Sequence, residues 1–152
     1  MDIDFERILL LKRVGIFSRL RTDQLHWVVG AMEPIEWFSG ERLFARGDPA
    51  DAMHLIVRGR VGITFADSGA AAAGGFVTEL EAGGSFGEMS LLDDRPRSAS
   101  AIALADTTTL ALGREALHGL LRSYPELGVG MLRALSLRLR ETNLALEAQG
   151  GF

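Results

Sequence analysis

The chain has no cysteine among its 152 residues, which excludes disulfide staples, iron–sulfur ligation and thiol catalysis. Histidine is scarce as well. His26, His54 and His118 lie on separate stretches, and no two of them stand at metal-ligand spacing. A metal-dependent enzyme would need a His-x-His or similar cluster, so no metal is expected. Each histidine reads instead as a partly exposed or hydrogen-bonded polar side chain. No run approaches about 18 uninterrupted apolar residues, which leaves nothing to span a membrane. The opening MDIDFERILL is acidic and lacks the basic start and long apolar core of a signal peptide, so the expected location is the cytoplasm. Positive charge is not in excess: 16 Lys and Arg against 20 Asp and Glu leave a net charge of −4, which argues against a nucleic-acid groove. Ser98 and Ser100 have no histidine nearby in sequence and no nucleophile elbow around them. The chain is not expected to be an enzyme.

Apolar material, by contrast, is ample. Hydrophobic residues make up 47% of the chain, and a chain of this length buries roughly 68–70% of its unfolded surface. One domain over residues 1–152 is expected. Residues 1–32 read as helical, with Phe5, Ile8, Leu9 and Val14 near helical spacing and Gly15-Ile16-Phe17 as an intervening turn. Thr22 suits the N-cap of a helix carrying Leu25, Val28, Val29 and Met32. From 33 to 112 glycines are frequent and the runs between them are short and rich in Val, Ile, Phe and Thr. Strands are expected at Ile35–Phe38, Arg42–Ala45, Met53–Val57, Val61–Phe65, Phe76–Leu80, Ala99–Ala103 and Thr107–Ala111. The low-complexity stretch 67–75 reads as a hairpin loop, with a short alanine helix as the alternative. Residues 113–148 return to a helical period: Arg114–Arg122, then, past Pro125, a helix from Glu126 to about Ala148, roughly 34 Å long. The fold class is mainly β with flanking helices, an antiparallel β-sandwich or barrel. Trp27 and Trp37 are expected as core or half-buried anchors, and Arg133, Arg138 and Arg140 as a solvated helix face.

The most informative stretch is SFGEMSLLDDRPRSASA, Ser85 to Ala101. It opens on a turn around Gly83, Gly84 and Gly87, passes into a short helical segment from Glu88 to Leu92, and reaches Arg97. A glycine-to-helix junction exposes backbone N–H groups and the positive end of a helix dipole, an arrangement suited to a phosphate. Arg97 adds a formal charge and a forked donor, while Glu88 can only accept hydrogen bonds and so suits a sugar hydroxyl. Asp93-Asp94-Arg95 reads as an exposed turn.

This run resembles the phosphate-binding cassette of the cyclic-nucleotide-binding domain family, here residues 83–99. The family pattern is met without gaps by Phe86, Gly87, Glu88, Met89, Ser90, Leu91, Leu92, Pro96, Arg97, Ser98 and Ala99. The resemblance implies that Glu88 takes the ribose 2′-hydroxyl and Arg97 the cyclic phosphate. Ser90 and Ser98 would add backbone donors, and Phe86, Gly87, Met89 and Ala99 would complete the site. It also implies an eight-stranded jelly-roll, or double-stranded β-helix, with helices 1–32 and 113–148 around a β-roll 33–112. The implied function is a regulatory sensor of a 3′,5′-cyclic nucleotide without a separate cofactor, cAMP first and cGMP as the alternative. A structural or dimerisation module that kept the fold without binding is a further alternative. Ser98 stands where cGMP-preferring relatives often carry threonine, although cAMP-binding activators have serine there too.

On the long helix, Leu132, Leu135, Leu139, Thr142 and Leu146 repeat with 4–3 spacing, the seam of a two-stranded coiled coil. Packing of that stripe on the chain's own barrel is the competing reading. The segment from Pro125 to Leu146 is similar to the C-terminal helix of the bacterial catabolite activators, which pairs in the dimer. In that comparison Thr142 and Asn143 fall on the residues that hydrogen-bond adenine, one from each subunit. The expected partners are a cyclic nucleotide and a second copy of the chain or an unknown effector protein. The sequence stops at Gly150-Gly151-Phe152 with no winged-helix segment, so it is not expected to act as a transcription factor unless it is an excised regulatory domain of a longer protein.

Overall fold

The computed structural model describes residues 3–65 and 78–150, and resolves into two compact units. One is formed by the chain up to Gly30 and from Gly119 onward; the other runs from Ala31 to His118. The low-complexity stretch 67–75, and Phe76 and Val77 of an expected strand, lie outside the described residues.

Among the described residues, the Ala31–His118 unit contains eight strands: β1 (Glu33–Trp37), β2 (Arg42–Phe44), β3 (Ala52–Arg58), β4 (Arg60–Thr64), β5 (Thr78–Glu81), β6 (Ser85–Phe86), β7 (Ser100–Ala103) and β8 (Thr107–Gly113). They form two antiparallel four-stranded sheets, ordered β1-β8-β3-β6 and β2-β7-β4-β5. This is the β-roll expected above. Strand β6 was not expected; two residues are too short to show a period, and it exists because Phe86 and Ser85 pair with His54 and Leu55 of β3. In β3, Met53, His54, Leu55 and Ile56 are all buried. The strand is covered on both faces, which explains why it is apolar on both sides of His54 in place of strict alternation. Ile56, Val61 and Ala101 centre a core between the sheets, with Phe44, Ile63, Leu80 and Phe86 packed on it.

The helical unit contains α1 (Ile3–Leu11), a 3₁₀ turn (Gly15–Phe17), α2 (Thr22–Gly30) and α4 (Glu126–Gly150). Helix α3 (Arg114–Ser123) begins in the β unit and ends here. Arg21 takes the cap position expected for Thr22. Its carbonyl accepts the first helical bond from the Leu25 N–H (2.9 Å), and Gln24 Oε1 accepts the Arg21 N–H (2.9 Å), half of a capping box. Ile8 and Leu11 are buried on α1, whereas Phe5 and Leu9 are exposed. On α4 the buried face is Leu127, Gly130, Met131 and Ala134. A side chain at Gly130 would strike Leu20, so the glycine allows the helix to approach. Trp27 stacks on Tyr124 at 3.9 Å, and Trp37 Nε1 donates to Thr109 Oγ1 at 3.1 Å; both are the anchors expected.

His54 is buried in the β unit and stacked on Phe86 with centroids 5.2 Å apart. The Thr109 hydroxyl, which accepts from Trp37, also hydrogen-bonds His54 Nδ1 at 3.2 Å. Burial, then the nearby Arg97 charge, lowers the His54 pKa to about 4. The unfolded chain takes up this proton near pH 6.5 and the folded chain only near 4, so stability is lost as pH falls through that window. The expected loss approaches about 3 kcal/mol at pH 4. Denaturant titrations of parent and His54→Phe between pH 4 and 7 check this: the variant should show a flatter profile, and equal slopes would rule it out.

Candidate ligand-binding site

The site is assembled where β6 ends. Gly87 sits at φ 79° and ψ 13°, and the chain then makes a single 3₁₀ turn, Glu88–Leu91. A Cβ on Gly87 would collide with the Arg97 guanidinium and stand 2.9 Å from the Ala52 carbonyl oxygen. Glycine is required there both for its left-handed backbone and for space. The turn is four residues long, too short for the helix dipole that the sequence suggested, so formal charge must carry the electrostatics. Ser90 N–H donates within the turn to the Gly87 carbonyl (3.0 Å). Its hydroxyl, in contrast, points at Arg97.

Arg97 is held at both ends. Its backbone N–H donates to the Asp48 carbonyl (2.9 Å) and its carbonyl accepts from the Gly47 N–H (2.8 Å), which fixes it to the turn after β2. The guanidinium is packed under the surface, with the residue 9% exposed. Nη2 donates to the Ala52 carbonyl (2.7 Å), Nη1 to Ser90 Oγ (3.3 Å), and Cζ lies 4.1 Å from the Phe44 ring centroid. Such a cation–π contact desolvated on one side is worth about 2 kcal/mol. Nε is buried without a hydrogen-bond partner, and no ion pair involves Arg97 among the described residues. Burial pulls its pKa down from the ordinary arginine range, while the more distant Asp51 and Asp48 charges push it up. An arginine keeps its charge in any case. Two neutral acceptors and a ring are a sparse set for a buried cation, and an anion placed against it is strongly favoured.

In front of Arg97 lies a cavity of about 640 Å³, a size ordinary for a small-molecule site. Phe86, Gly87, Glu88, Met89, Ser90, Arg97, Ser98 and Ala99 all line it, so the structure brings these sequence-predicted residues together. Asp94 and Arg95 are exposed, as expected, while Asp93 and Arg95 also line the cavity and the exposed Asp94 pairs with Arg114 at 3.2 Å. Thr142 and Asn143 stand on α4, both exposed, with Thr142 Oγ1 donating to the Arg138 carbonyl (2.9 Å). Sequence reasoning missed Phe44, Ile63 and Leu80 of the cavity wall and the Ala52 carbonyl. No local pattern marks them. Among the described residues no cluster of His, Cys, Asp or Glu could hold a metal ion, and no helix is long and apolar enough to cross a membrane.

Comparison with known proteins places the chain in a family. A "CRP-like cAMP-activated global transcriptional regulator" of Mycobacterium tuberculosis is 31% identical over 137 residues, covering 88% of this chain and 59% of the regulator. A "cAMP-dependent protein kinase regulatory subunit" of Aspergillus niger is 34% identical over 125 residues, 80% of this chain and 29% of the subunit. The chain thus spans less than two thirds of the length of these relatives. Among solved structures, the N-terminal domain of a transcriptional regulator from Streptomyces coelicolor superposes with a TM-score of 0.80 at 31% identity, covering 90% of this chain and 94% of that one. The family model for the cyclic nucleotide-binding domain matches residues 35–124, the whole cassette included. This chain belongs to the cyclic nucleotide-binding domain family.

Proposed function

We propose that the β unit binds a 3′,5′-cyclic nucleotide, cAMP in preference to others, as a non-enzymatic regulatory sensor. The observation that carries this reading is the buried Arg97 guanidinium, unpaired with any carboxylate among the described residues and facing a cavity of about 640 Å³. A cyclic phosphate supplies the missing anion. Glu88, on the wall of the same cavity, accepts from the ribose 2′-hydroxyl. Relatives described as cAMP-activated and cAMP-dependent favour cAMP. Thr142 and Asn143 are proposed to read the adenine edge.

The proposed output runs through α4, paired with a second copy of the chain. Leu132, Leu139 and Leu146 are 66%, 62% and 45% exposed, while Leu127, Met131 and Ala134 on another face of the helix are buried. Leu135 is half-buried, but the rest of the 4–3 stripe is left exposed, and a like stripe is its natural complement.

Three outcomes are expected. At 100 times its Kd, cAMP should add about 2.7 kcal/mol of stability, which for this length raises the melting temperature by roughly 5–10 °C. Absence of any shift with millimolar cAMP or cGMP would remove the proposal. Glu88→Ala should weaken cAMP about tenfold or more, and 2′-deoxy-cAMP far less, because the lost partner is the 2′-hydroxyl; equal losses would remove the ribose role. Leu139→Glu should convert a dimer to a monomer in light scattering at micromolar concentration, and a parent that is itself monomeric would remove the seam.

A further inference from the structure

Arginine is an unusual choice for the first residue of a helix, where the backbone dipole disfavours positive charge. Arg114 opens α3, and its guanidinium does not extend into solvent. Nε donates to the Ser90 carbonyl (2.9 Å), Nη2 to the Ala50 (2.7 Å) and Asp93 carbonyls (2.5 Å), and Nη1 pairs with Asp94 (3.2 Å). Its backbone N–H donates to the Asp51 carbonyl (2.6 Å). Three successive carbonyls, Ala50, Asp51 and Ala52, are thus taken in order by the Arg114 side chain, the Arg114 backbone and the Arg97 side chain. Ser90 is shared in the same way: its carbonyl accepts from Arg114 and its hydroxyl from Arg97.

We infer that Arg114 is a positioning residue for the phosphate site, acting through the two acceptors that aim Arg97. It does not line the cavity of about 640 Å³. It ties segment 50–52 to the 3₁₀ turn and to the start of α3, and so sets the separation of Ser90 Oγ and the Ala52 carbonyl. An anion that draws the Arg97 guanidinium forward loosens its bonds to those acceptors. Arg114 alone then holds both segments, which registers occupancy at the first turn of α3. The ligand part of this inference rests on the proposed nucleotide binding.

The test compares the parent with Arg114→Lys and Arg114→Gln, neither of which can span three carbonyls. In the ligand-free proteins, amide hydrogen exchange of Ser90, Leu92 and Asp93 should speed up about tenfold or more, while β4 and β7 keep their protection. By calorimetry well below the melting temperature, cAMP affinity should fall about 5- to 20-fold, the worth of one or two hydrogen bonds. In an Arg97→Ala background the same substitution should cost less than about twofold, because the residue it positions is gone. Unaltered exchange, parent-like affinity, or losses that multiply in full would each overturn the inference. A parent that fails to bind cAMP would refute the nucleotide reading, and exchange would still decide whether Arg114 holds the turn. Should both variants fail to fold, the parent alone decides: the Arg114 Nε–H should exchange with solvent about tenfold slower than that of exposed Arg133, and equal rates would overturn the inference.

Discussion

The burial of one positive charge sets the terms for the rest of the β unit. Moving a guanidinium out of water is costly by several kcal/mol, even after relaxation. The fold meets that cost only in part, with the Ala52 carbonyl, the Ser90 hydroxyl and the face of Phe44 around Arg97. These groups come from β2, β3 and the turn after β6, so the charge is stabilised only when both sheets and their connections are in place. Gly87 belongs to the same constraint, because any side chain there would occupy the guanidinium's own space. A site with a buried cation and few acceptors is pre-organised for an anion, since the cation is already desolvated before the anion arrives.

The backbone around the site is held by side chains more than by regular structure. Segment 47–52 and turn 87–93 have short or no strand pairing of their own, and arginines bridge them. Arg97 and Arg114 each contact both segments, one from inside the cavity and one from the start of α3. A ligand that competes for one arginine changes the load on the other. With the proposed cyclic phosphate as that ligand, this would be a route from phosphate to helix that needs no large rearrangement of the sheets.

What the sequence showed clearly was local. Phe86 to Ala99 carries its meaning in residue order, because the glycine turn, the acid and the arginine are near neighbours in the chain. The alternation of short apolar runs with glycines likewise announced an antiparallel β-sandwich or barrel, and the family resemblance narrowed it to a β-roll. What it hid was brought together by topology. Phe44 lies 53 residues before Arg97, and nothing near either residue predicts their contact. Strand β6 owes its existence to pairing with β3 and is too short to show a period. On α4 two apolar stripes coexist, and periodicity does not say which meets the chain's own unit; Gly130 against Leu20 decides it. Arg114 did leave a trace, a cation at a helix start, and it went unread because its partners are backbone carbonyls with no sequence signature.

The central claim is that Arg97 is a buried charge held ready for a cyclic phosphate. Calorimetric titration of cAMP into the parent and Arg97→Ala proteins, side by side at one salt concentration, tests it most directly. Charged hydrogen bonds contribute about 1.5–3 kcal/mol, so the account predicts one site per chain and a roughly 10- to 150-fold weaker Kd for the variant. A folded variant that binds cAMP as tightly as the parent would contradict it.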